Sequence, residues 1–378
     1  MNYIRTIGKK LIENLGKKPI IVLYGARQVG KTTLAKSIMG EFKSPLYLQG
    51  DDPKDAQNIE GRSGKELSSI ISGHDIVVID EAQRIKDIGS VLKLIADNNP
   101  KVKLIATGSS SFELVNKLSE PLTGRNRKFF LYPLSVKEVV SATSVLEVKK
   151  ELESYLIFGM YPQVVSAKSR AEKALLVKEL ISDYLYKDLF IFGGIRNSFA
   201  FEKLVKLLAL RVGSEISYPE LAKEVGISKS TVLSYINLLE QSFIVFRLNP
   251  LYGNKTKEIN KRHKIYFYDT GVRNAVLGAT DPVELRTDKG ALLENFFISE
   301  KIKSRVYENH ESQINFWRNR QSGEVDFVES FNNGKKILAF ECKWKGDVFA
   351  PSAFVAMYSG AKFECVNYEN IVEKLFNN

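Results

Sequence analysis

Five short runs of apolar residues, separated by stretches of helix length, dominate the first third of this 378-residue chain. Between Lys18 and Leu134 they read PIIVLYG, PLYLQG, HDIVVIDE, KVKLIATGS and RKFFLYPLS. Strands that are apolar at every position are typical of parallel sheets covered by helices on both faces. The pattern therefore predicts an α/β domain with a parallel sheet over residues 1–135.

A glycine-rich segment follows the first run. Residues 25–32 read GARQVGKT, which matches G-x-x-x-x-G-K-[ST] between a predicted strand and a predicted helix. Glycines let consecutive main-chain N–H groups face phosphate oxygens, and the helix N-terminus adds partial positive charge. We expect Lys31 to reach the β- and γ-phosphates and the Thr32 hydroxyl to bind Mg²⁺. The predicted nucleotide-binding residues are Gly25, Ala26, Arg27, Gln28, Val29, Gly30, Lys31, Thr32 and Thr33.

The run DIVVIDEAQ ends in two acids, Asp80 and Glu81. We expect Asp80 to hold the Mg²⁺ through its water shell, together with Thr32, and Glu81 to polarise the attacking water. A guanine-reading Asn-Lys-x-Asp motif is absent, since NKLS at Asn116 lacks the aspartate. ATP is therefore the expected nucleotide, bound with Mg²⁺.

These motifs resemble those of AAA-type P-loop ATPases, over about the first 190 residues. The resemblance implies a helical lid at residues 136–195 and a polar sensor on the strand beside that of Asp80. ATGSSS offers Thr107, Ser109 and Ser110, of which Ser109 is preferred.

The same resemblance implies an arginine finger, commonly donated across a subunit interface. LTGRNRKFF offers Arg125 and Arg127, of which Arg125 is preferred. A finger that acts between subunits implies a homo-oligomer, whereas Arg125 acting in its own subunit requires none. A solvated loop charge is the alternative for either arginine.

Two helices joined by a tight turn are predicted near the middle of the chain. Ser217 and Glu220 form an S-x-x-E cap for the first helix, and Gly226 permits the turn. Ser228 begins a second helix whose apolar face comprises Val232, Tyr235, Ile236 and Leu239. The β-like runs FIVFRL and KIYFYD can then pair as a hairpin, which predicts a winged helix-turn-helix over residues 196–269.

Positive charge indicates a polyanionic partner. The formal net charge is +11, and residues 249–264 hold five Lys or Arg against one Glu. Residues 229–231 lie where a recognition helix meets a DNA groove. DNA contact through this helix and the basic loop 249–264 is therefore expected. The alternative is that the segment packs domains together and its lysines are only solvated.

Three charged residues lie in two adjacent predicted strands near the end of the chain. Alternation places Glu341 and Lys343 on one strand face, and the turn ESFNNGKK can bring Asp326 beside Glu341. Two gathered carboxylates favour a cation, and Mg²⁺ prefers such oxygen ligands, so Asp326 and Glu341 are predicted metal ligands. Lys343 is predicted to stabilise a metal-activated hydroxide or the charge that develops on a phosphate.

This D…ExK pattern resembles the PD-(D/E)xK nuclease superfamily over about the last hundred residues. The resemblance implies a restriction-endonuclease-like α/β domain with Asp326, Glu341 and Lys343 as catalytic residues. It also makes Glu294, on the preceding helix, a further metal ligand. Val325, and not proline, precedes Asp326. The alternatives are a hairpin with exposed ion pairs and a nuclease fold that binds nucleic acid without cutting it.

The whole chain resembles a widespread archaeal and bacterial family of AAA-type P-loop ATPases whose tail is a domain of unknown function. The motifs that carry this resemblance are GARQVGKTTL, VVIDEAQ, TGSSSF, GRNRKFFLYPLS, YLIFGMYPQVV, YFYDTGVRNA, GEVDFV and FECKW. The implied domains are an ATPase core at 1–135, a lid at 136–195, a winged helix at 196–269 and a nuclease-like domain at 270–378.

The remaining composition indicates a cytoplasmic protein. Cys342 and Cys365 lack metal-type spacing, which favours a reducing compartment, and the three scattered histidines do not form a zinc motif. The first residues lack the apolar core of a signal peptide, and no apolar run approaches the roughly 20 residues that span a bilayer. No membrane partner is expected.

Two functions from different classes follow. The first is an ATP-hydrolysing, DNA-binding protein that couples nucleotide state to DNA processing, with a Mg²⁺-dependent nuclease site in the tail. The second is a nucleotide-controlled switch or scaffold whose tail holds DNA or a partner protein without cleavage.

Overall fold

The computed structural model describes residues 3–108, 122, 124–192, 195–251, 262–319, 321 and 323–376, with main chain only at 184, 186–188, 191 and 192. Two compact units are present: Ile4–Pro133 with Gln241–Phe243, and Leu134–Glu240 with Ile244–Asn378 and Met1–Tyr3. Ser109 and Ser110 lie outside the described residues, as do residues 252–261 of the predicted basic loop.

The first unit contains a five-stranded, wholly parallel sheet in the order β2-β3-β4-β1-β5. Its strands are β1 (Ile20–Tyr24), β2 (Pro45–Gln49), β3 (Ile76–Asp80), β4 (Lys103–Gly108) and β5 (Asn126–Phe130). All five runs predicted from the sequence are therefore confirmed as strands. The helices are α1 (Thr6–Asn14), α2 (Lys31–Met39), α3 (Pro53–Ile59), α4 (Gly64–Ile71) and α5 (Ile88–Asn98).

The central strands of this sheet are covered on both faces. Every residue of β1 and of β3 is buried, which explains why both runs are apolar without alternation. Because the strands are parallel, the residues after β1 and at the end of β3 meet at one edge of the sheet. That edge holds the glycine-rich loop and Asp80.

The second unit begins with a run of helices, as the sequence predicts. They are α6 (Val136–Ala142), α7 (Val145–Lys150), α8 (Leu152–Phe158), α9 (Pro162–Ser166), α10 (Arg170–Leu180), a π-helical stretch (Ile181–Asp188), α11 (Leu189–Phe192) and α12 (Ser198–Leu210). The later helices are α13 (Tyr218–Val225), α14 (Lys229–Gln241), α15 (Thr270–Leu277), α16 (Lys289–Glu308), α17 (Ser352–Met357) and α18 (Ile371–Phe376).

Asp269 joins two distant sequence motifs of this unit. Its carboxylate accepts hydrogen bonds from the main-chain N–H of Met160 at 2.7 Å and of Val272 at 3.1 Å. A Cβ on Gly159 would lie 1.9 Å from that carboxylate, and one on Gly271 would lie 2.0 Å from the Phe158 carbonyl oxygen. The glycines of FGMYP and YDTG are thus required by close packing between the end of α8 and the start of α15.

A six-stranded mixed sheet, ordered β11-β10-β9-β8-β6-β7, completes the second unit. Its strands are β6 (Val245–Pro250), β7 (Lys264–Phe267), β8 (Ser312–Asn319), β9 (Gly323–Phe331), β10 (Lys336–Cys342) and β11 (Lys362–Val366). The predicted hairpin of β6 with β7 is confirmed, but β6 also pairs in parallel with β8. Strands on both sides of the predicted boundary at residue 269 therefore belong to one sheet.

Helices cover this second sheet as well. Phe297 of α16 packs against Phe327 and Phe340 of β9 and β10 on one face. On the other face, Phe354 of α17 packs against Trp317. Within the described part of the chain, no helix is both long enough and apolar enough to span a lipid bilayer.

Candidate nucleotide site and carboxylate cluster

The glycine-rich loop of the first unit curls around its own lysine. Gly30 has a φ of 98° and immediately precedes α2, a left-handed conformation that glycine adopts without strain. The Lys31 ammonium is buried and donates to the carbonyl oxygens of Gly25 at 3.0 Å and Ala26 at 2.8 Å. Burial lowers the pKa of Lys31 to about 8, against the opposing effect of Glu81 and Asp80. The cation lies where the predicted phosphates would bind.

Arg5 braces this loop from the side. Its guanidinium donates to the Val29 carbonyl oxygen at 2.6 Å and to the Tyr132 carbonyl oxygen at 2.6 Å, and the side chain is buried. Arg5 thus ties the loop to the chain after β5. Arg5 was not predicted from the sequence, because no motif near the N-terminal helix marks a contact with a loop 24 positions away.

Asp80 is held by hydrogen bonds from three other elements. The hydroxyls of Thr32 and Tyr47 each donate to its Oδ2 at 2.6 Å, and Thr107 donates to Oδ1. Burial by itself raises the pKa of Asp80, but the hydrogen bonds from Thr107, Thr32 and Tyr47 lower it below the ordinary value. The group is therefore a fixed carboxylate anion at neutral pH.

Thr32 and Asp80 fit the Mg²⁺ that the motifs imply. A hydroxyl and an anionic carboxylate, already 2.6 Å apart, present the hard oxygen atoms that this ion prefers. Lys31 and the loop N–H groups fit a triphosphate in the same way. The bound ion would neutralise charge on the β- and γ-phosphates.

Glu81 follows Asp80 in a strained backbone conformation, with a φ of 47°. Its N–H lies 3.2 Å from Asp80 Oδ1 and 3.3 Å from Thr107 Oγ1, and Gln83 Nε2 donates to its carboxylate at 2.5 Å. A Cβ on Gly50 would lie 2.4 Å from the Glu81 carbonyl oxygen, so this neighbour must be glycine. The Glu81 carboxylate is thus fixed beside Asp80.

Two residues on the strands beside β3 donate hydrogen bonds to Asp80. Thr107, on β4, is fully buried and contacts Asp80. Tyr47, on β2, was missed, although a lone hydroxyl group in a strand beside β3 is a signal that the sequence contained. Ser109, the preferred sensor, lies outside the described residues.

Arg125 lies at the opposite edge of the sheet from the phosphate loop. It directly precedes β5, whose first residue pairs with Ile20, while the loop follows the far end of β1 at Tyr24. Five residues of strand separate these edges by about 13 Å. Arg125 is half exposed and pairs with Asp97 at 3.0 Å. The structure does not bring it to the loop of its own chain.

We expect removal of the Tyr47 hydroxyl to weaken the nucleotide site. A Tyr47→Phe chain loses one hydrogen bond to a charged group, which contributes about 1.5–3 kcal/mol, so kcat/KM for ATP should fall about tenfold or more. The measurement is phosphate release at varied Mg·ATP, with Tyr368→Phe, a change in the other unit, as the control. An unchanged kcat/KM would show that Tyr47 does not position Asp80.

Two helices joined by a tight turn are present at residues 217–241, as the sequence predicts. Thr231 N–H donates to the Ser228 hydroxyl at 3.1 Å, and Gly226 turns the chain with a φ of 83°. The predicted apolar face is buried: Val232, Tyr235, Ile236 and Leu239. Lys229 and Ser230 are exposed at the start of α14, and Arg262 pairs with Glu220 at 3.2 Å.

Lys264 requires a correction to the predicted basic loop. It was counted among the charges available to DNA, but its side chain is only 2 % exposed. The residue opens β7, and its ammonium turns into the second unit toward acidic side chains. It cannot contact a DNA phosphate from this position.

A cavity of about 520 Å³ in the second unit contains the predicted C-terminal site. Six charged side chains line it: Lys264, Glu294, Glu324, Asp326, Glu341 and Lys343. We call this group the carboxylate cluster. It includes every predicted C-terminal site residue, together with Lys264 and Glu324, which the sequence analysis did not assign.

The strands position Asp326 and Glu341 as the sequence analysis expected. Phe327 pairs with Phe340, which places the two acids side by side, and Asp326 N–H points to Glu341 Oε2 at 3.3 Å. A register shift between β8 and β9, at Asn315 and Trp317, lies at the same level. Such irregularities redirect side chains next to functional sites.

The acids already have donors. Asp326 Oδ1 lies 3.3 Å from Lys264 Nζ, and its Oδ2 accepts the Cys342 N–H at 2.9 Å. Glu341 Oε1 accepts from Lys343 at 2.8 Å. Glu294 Oε1 accepts from the Tyr266 hydroxyl at 2.6 Å and lies 3.3 Å from Lys264.

Burial, together with a neighbouring carboxylate, raises the pKa of two of these acids, Glu294 and Glu341. Burial and the neighbouring Asp326 raise the pKa of Glu294 to about 8 and that of Glu341 to about 7. Burial by itself lowers the pKa of Lys264, but Glu294, Asp326 and Glu324 raise it above its ordinary value. Lys264 is therefore a permanent cation among them.

As arranged, the carboxylate cluster does not fit the predicted Mg²⁺. Across the described ranges, no group of three or more His, Cys, Asp and Glu side chains is disposed to hold a metal ion. The oxygens that would face such an ion instead face Lys264 and Lys343. Metal ligation by Glu294, Asp326 and Glu341 stays a prediction from the sequence.

The first unit therefore combines a parallel sheet with a lysine-centred glycine-rich loop and an Asp-Glu pair at one edge, an arrangement typical of P-loop nucleotide-binding domains. Comparison with known families agrees: residues 17–140 match the family described as "AAA domain". Residues 149–283 and 289–366 match two further families, each described as a domain of unknown function (DUF8612 and DUF4143).

Similar proteins occur in distant organisms. An uncharacterized protein of Mycobacterium tuberculosis is 28 % identical over 329 residues, which cover 86 % of this chain and 71 % of that protein. One of Methanocaldococcus jannaschii is 28 % identical over 355 residues, covering 88 % and 76 %.

Among solved structures, the Walker-type ATPase PABY2304 of Pyrococcus abyssi is 16 % identical, with a TM-score of 0.48, covering 71 % of this chain and 94 % of that one. The Aeropyrum pernix ORC1 protein in complex with DNA is 16 % identical, with a TM-score of 0.33, covering 74 % and 92 %.

Proposed function

We propose that this protein binds and hydrolyses ATP with Mg²⁺ and acts as a nucleotide-controlled DNA-binding switch. The observation that carries the proposal is the convergence of Lys31, Thr32, Asp80 and Glu81 at one edge of the parallel sheet. Thr32 lies in the first turn of α2 and Asp80 ends β3, 48 positions along the chain, yet the two share a 2.6 Å hydrogen bond. A glycine-rich turn that occurred by chance would not have an acidic pair, Asp80 and Glu81, beside it.

Phosphate release from ATP and from GTP tests the proposal. The purified chain should hydrolyse ATP in the presence of Mg²⁺, and EDTA should abolish the activity because Mg²⁺ neutralises the phosphates. GTP should be the poorer substrate, since the chain lacks a guanine-reading motif. Hydrolysis that persists in EDTA would contradict the proposed site.

DNA binding is the second part of the proposal, and it rests on charge and on the exposed start of α14. Lys229 and Ser230 are accessible, and the predicted apolar face behind them is buried. The net charge of +11 favours a polyanion. The sequence has further lysines at positions 255, 257 and 261.

The salt dependence of DNA affinity measures these contacts. Each phosphate contact contributes about 0.9 to the slope of log K against log salt concentration, so Lys229→Gln should flatten the slope by about one. Duplex binding is measured by fluorescence anisotropy at several salt concentrations. Lys150→Gln, at an exposed lysine outside this segment, is the control. A slope unchanged in Lys229→Gln would remove α14 from the interface.

A homo-oligomer is proposed for the ATPase, because Arg125 lies away from the loop of its own chain. If Arg125 completes the site of a neighbouring copy, Lys31→Ala and Arg125→Ala chains should each be inactive. A mixture of the two should regain ATP hydrolysis, since one copy offers the finger and the other binds ATP. Normal hydrolysis by Arg125→Ala alone would remove the finger role.

Mg²⁺-dependent DNA cleavage by Asp326, Glu341 and Lys343 is the competing function for the tail. Their proximity favours it, whereas the ammonium of Lys264 in the same cavity favours a tail that does not cut. We favour the non-cleaving alternative.

Plasmid and branched DNA, incubated with Mg²⁺ or Mn²⁺, should stay intact. Cleavage that is lost in Asp326→Ala and Glu341→Ala would establish the nuclease instead.

A further inference from the structure

The carboxylate cluster contains its own cation. Lys264 Nζ lies 3.3 Å from Glu294 Oε1 and 3.3 Å from Asp326 Oδ1, and it also pairs with Glu324. These three acids come from α16 and β9, whereas the lysine comes from β7. A single side chain thus bridges the strand hairpin and the C-terminal part of the unit.

The position of Lys264 is set by the main chain on both sides. In β7 its main chain pairs with that of Leu248 in β6. Its main chain also forms an isolated antiparallel β-bridge with Glu215. Its chain neighbours are held as well, because Ile216 N–H donates to the His263 carbonyl at 2.9 Å and Gly213 N–H donates to that of Ile265 at 3.2 Å. The ammonium lies 5.3 Å from the centre of the Phe316 ring. The main-chain pairing therefore fixes Lys264 in the wall of the cavity.

The oxygens of Asp326 and Glu341 are all engaged. Lys264 and the Cys342 N–H occupy the two oxygens of Asp326, while Lys343 and the Asp326 N–H occupy those of Glu341. A divalent ion would need several of these oxygens at about 2.1 Å. It would then lie next to the Lys264 ammonium. Both are cations and both would contact the same carboxylate oxygens, so they would repel each other.

We propose that Lys264 is the resident cation of the carboxylate cluster and excludes divalent metal from it. Its role is to neutralise Glu294, Glu324 and Asp326 while fixing β7 to the C-terminal part of the unit. Removal of the ammonium creates a metal site from the same oxygens. This inference goes beyond the proposed function and depends on neither ATP hydrolysis nor DNA binding.

Titration with Mn²⁺ tests the exclusion directly. The full chain is studied without nucleotide in an Asp80→Asn background, which removes the carboxylate of the other predicted metal site. Loss of the free Mn²⁺ paramagnetic resonance signal measures binding. The chain with Lys264 should show no Mn²⁺ site that depends on Asp326, whereas Lys264→Met should gain one such site.

Lys301→Met is the matched control. Lys301 is another buried lysine of the same unit, its ion pair is with Glu329 at 3.8 Å, and its removal should create no Mn²⁺ site. Thermal unfolding gives a second readout through Trp317 and Trp344, the two tryptophans of the chain. Mn²⁺ at a hundred times its Kd should raise the midpoint of Lys264→Met by about 5–10 °C.

Two outcomes would overturn the proposal. One is Mn²⁺ binding by the chain with Lys264 that Asp326→Asn abolishes. The other is a folded Lys264→Met chain that gains no Mn²⁺ site. If Lys264→Met does not fold, the first comparison still decides, because it uses only Asp326→Asn. No readout involves ATP turnover or DNA, so failure here is distinct from failure of the proposed function.

Discussion

A Glu81→Gln chain is expected to bind ATP normally and to hydrolyse it about 10²- to 10⁴-fold more slowly, the typical contribution of a positioned general base. The carboxylate is fixed by Gln83 and by the strained turn after β3, beside Asp80. Glutamine keeps the size of the side chain but cannot accept a proton from water. The ligands of the phosphates and of Mg²⁺ are unchanged, so affinity should be retained.

Two measurements separate binding from turnover for this variant. Titration with a fluorescent ATP analogue gives the affinity, and phosphate release gives kcat. Glu60→Gln, which changes an acid that accepts the Lys86 N–H in the same unit, is the control and should leave both unchanged. A Glu81→Gln chain with full kcat would assign the proton acceptor elsewhere.

An Asp288→Asn chain is expected to lose up to about 3 kcal/mol of stability in the second unit, since two buried arginines lose the half-buried carboxylate with which both pair. Arg286 donates to the two oxygens of Asp288 at 2.9 and 2.8 Å, and Arg273 donates to one of them. Both arginine side chains are buried. Asparagine would leave two guanidinium groups together without an anion.

The same network has a defined pH dependence. Burial alone raises the pKa of Asp288, but the hydrogen bonds from Arg286 and Arg273 lower it from 3.8 to about 2. Because the folded state has the lower pKa, the stabilisation is complete above pH 3.8 and is lost as the pH falls toward 2. Asp288→Asn should not show this component.

Urea unfolding followed by tryptophan fluorescence measures the effect, because Trp317 and Trp344 both lie in the second unit. Glu224→Gln is the matched control in that unit. It removes an exposed ion pair with Arg211, at 2.7 Å, and should change stability by less than about 1 kcal/mol. Equal losses in the two variants would mean that the Asp288 network is no more important than a surface pair.

The strands and the phosphate loop were predictable because their signals are local. IIVLY is apolar at every position and IVVID at every position before Asp80, as is typical of strands buried on both faces, and the loop motif lies between the first of them and α2. The start of α14 was predictable for a similar reason, since Ser228 caps it within three residues.

Contacts between distant elements were not predictable from such patterns. Tyr47 lies 33 positions from Asp80, and Lys264 lies 62 positions from Asp326. In the sequence, Lys264 follows Lys261, Arg262 and His263, so it was read as part of a basic loop. Its burial follows from the pairing of β6 with β8, which has no signature in either strand alone.

The role of Lys264 changes the interpretation of the tail. Asp326, Glu341 and Lys343 have the spacing of a nuclease site, and the structure does bring them together. The charge that balances the acids, however, is supplied by the protein itself. The spacing of the D…ExK motif indicates which residues come together. The cation that pairs with Asp326 is Lys264, which lies on β7, a strand outside that motif.

ATP hydrolysis at the glycine-rich loop is the central claim, and replacement of Lys31 tests it most directly. Phosphate release is measured with Mg·ATP for the natural chain, for Lys31→Ala and for Lys93→Ala, an exposed lysine of helix α5. The natural chain and Lys93→Ala should hydrolyse ATP, and Lys31→Ala should release no phosphate above background. Equal rates of phosphate release for Lys31→Ala and the natural chain would show that ATP is not hydrolysed at the glycine-rich loop.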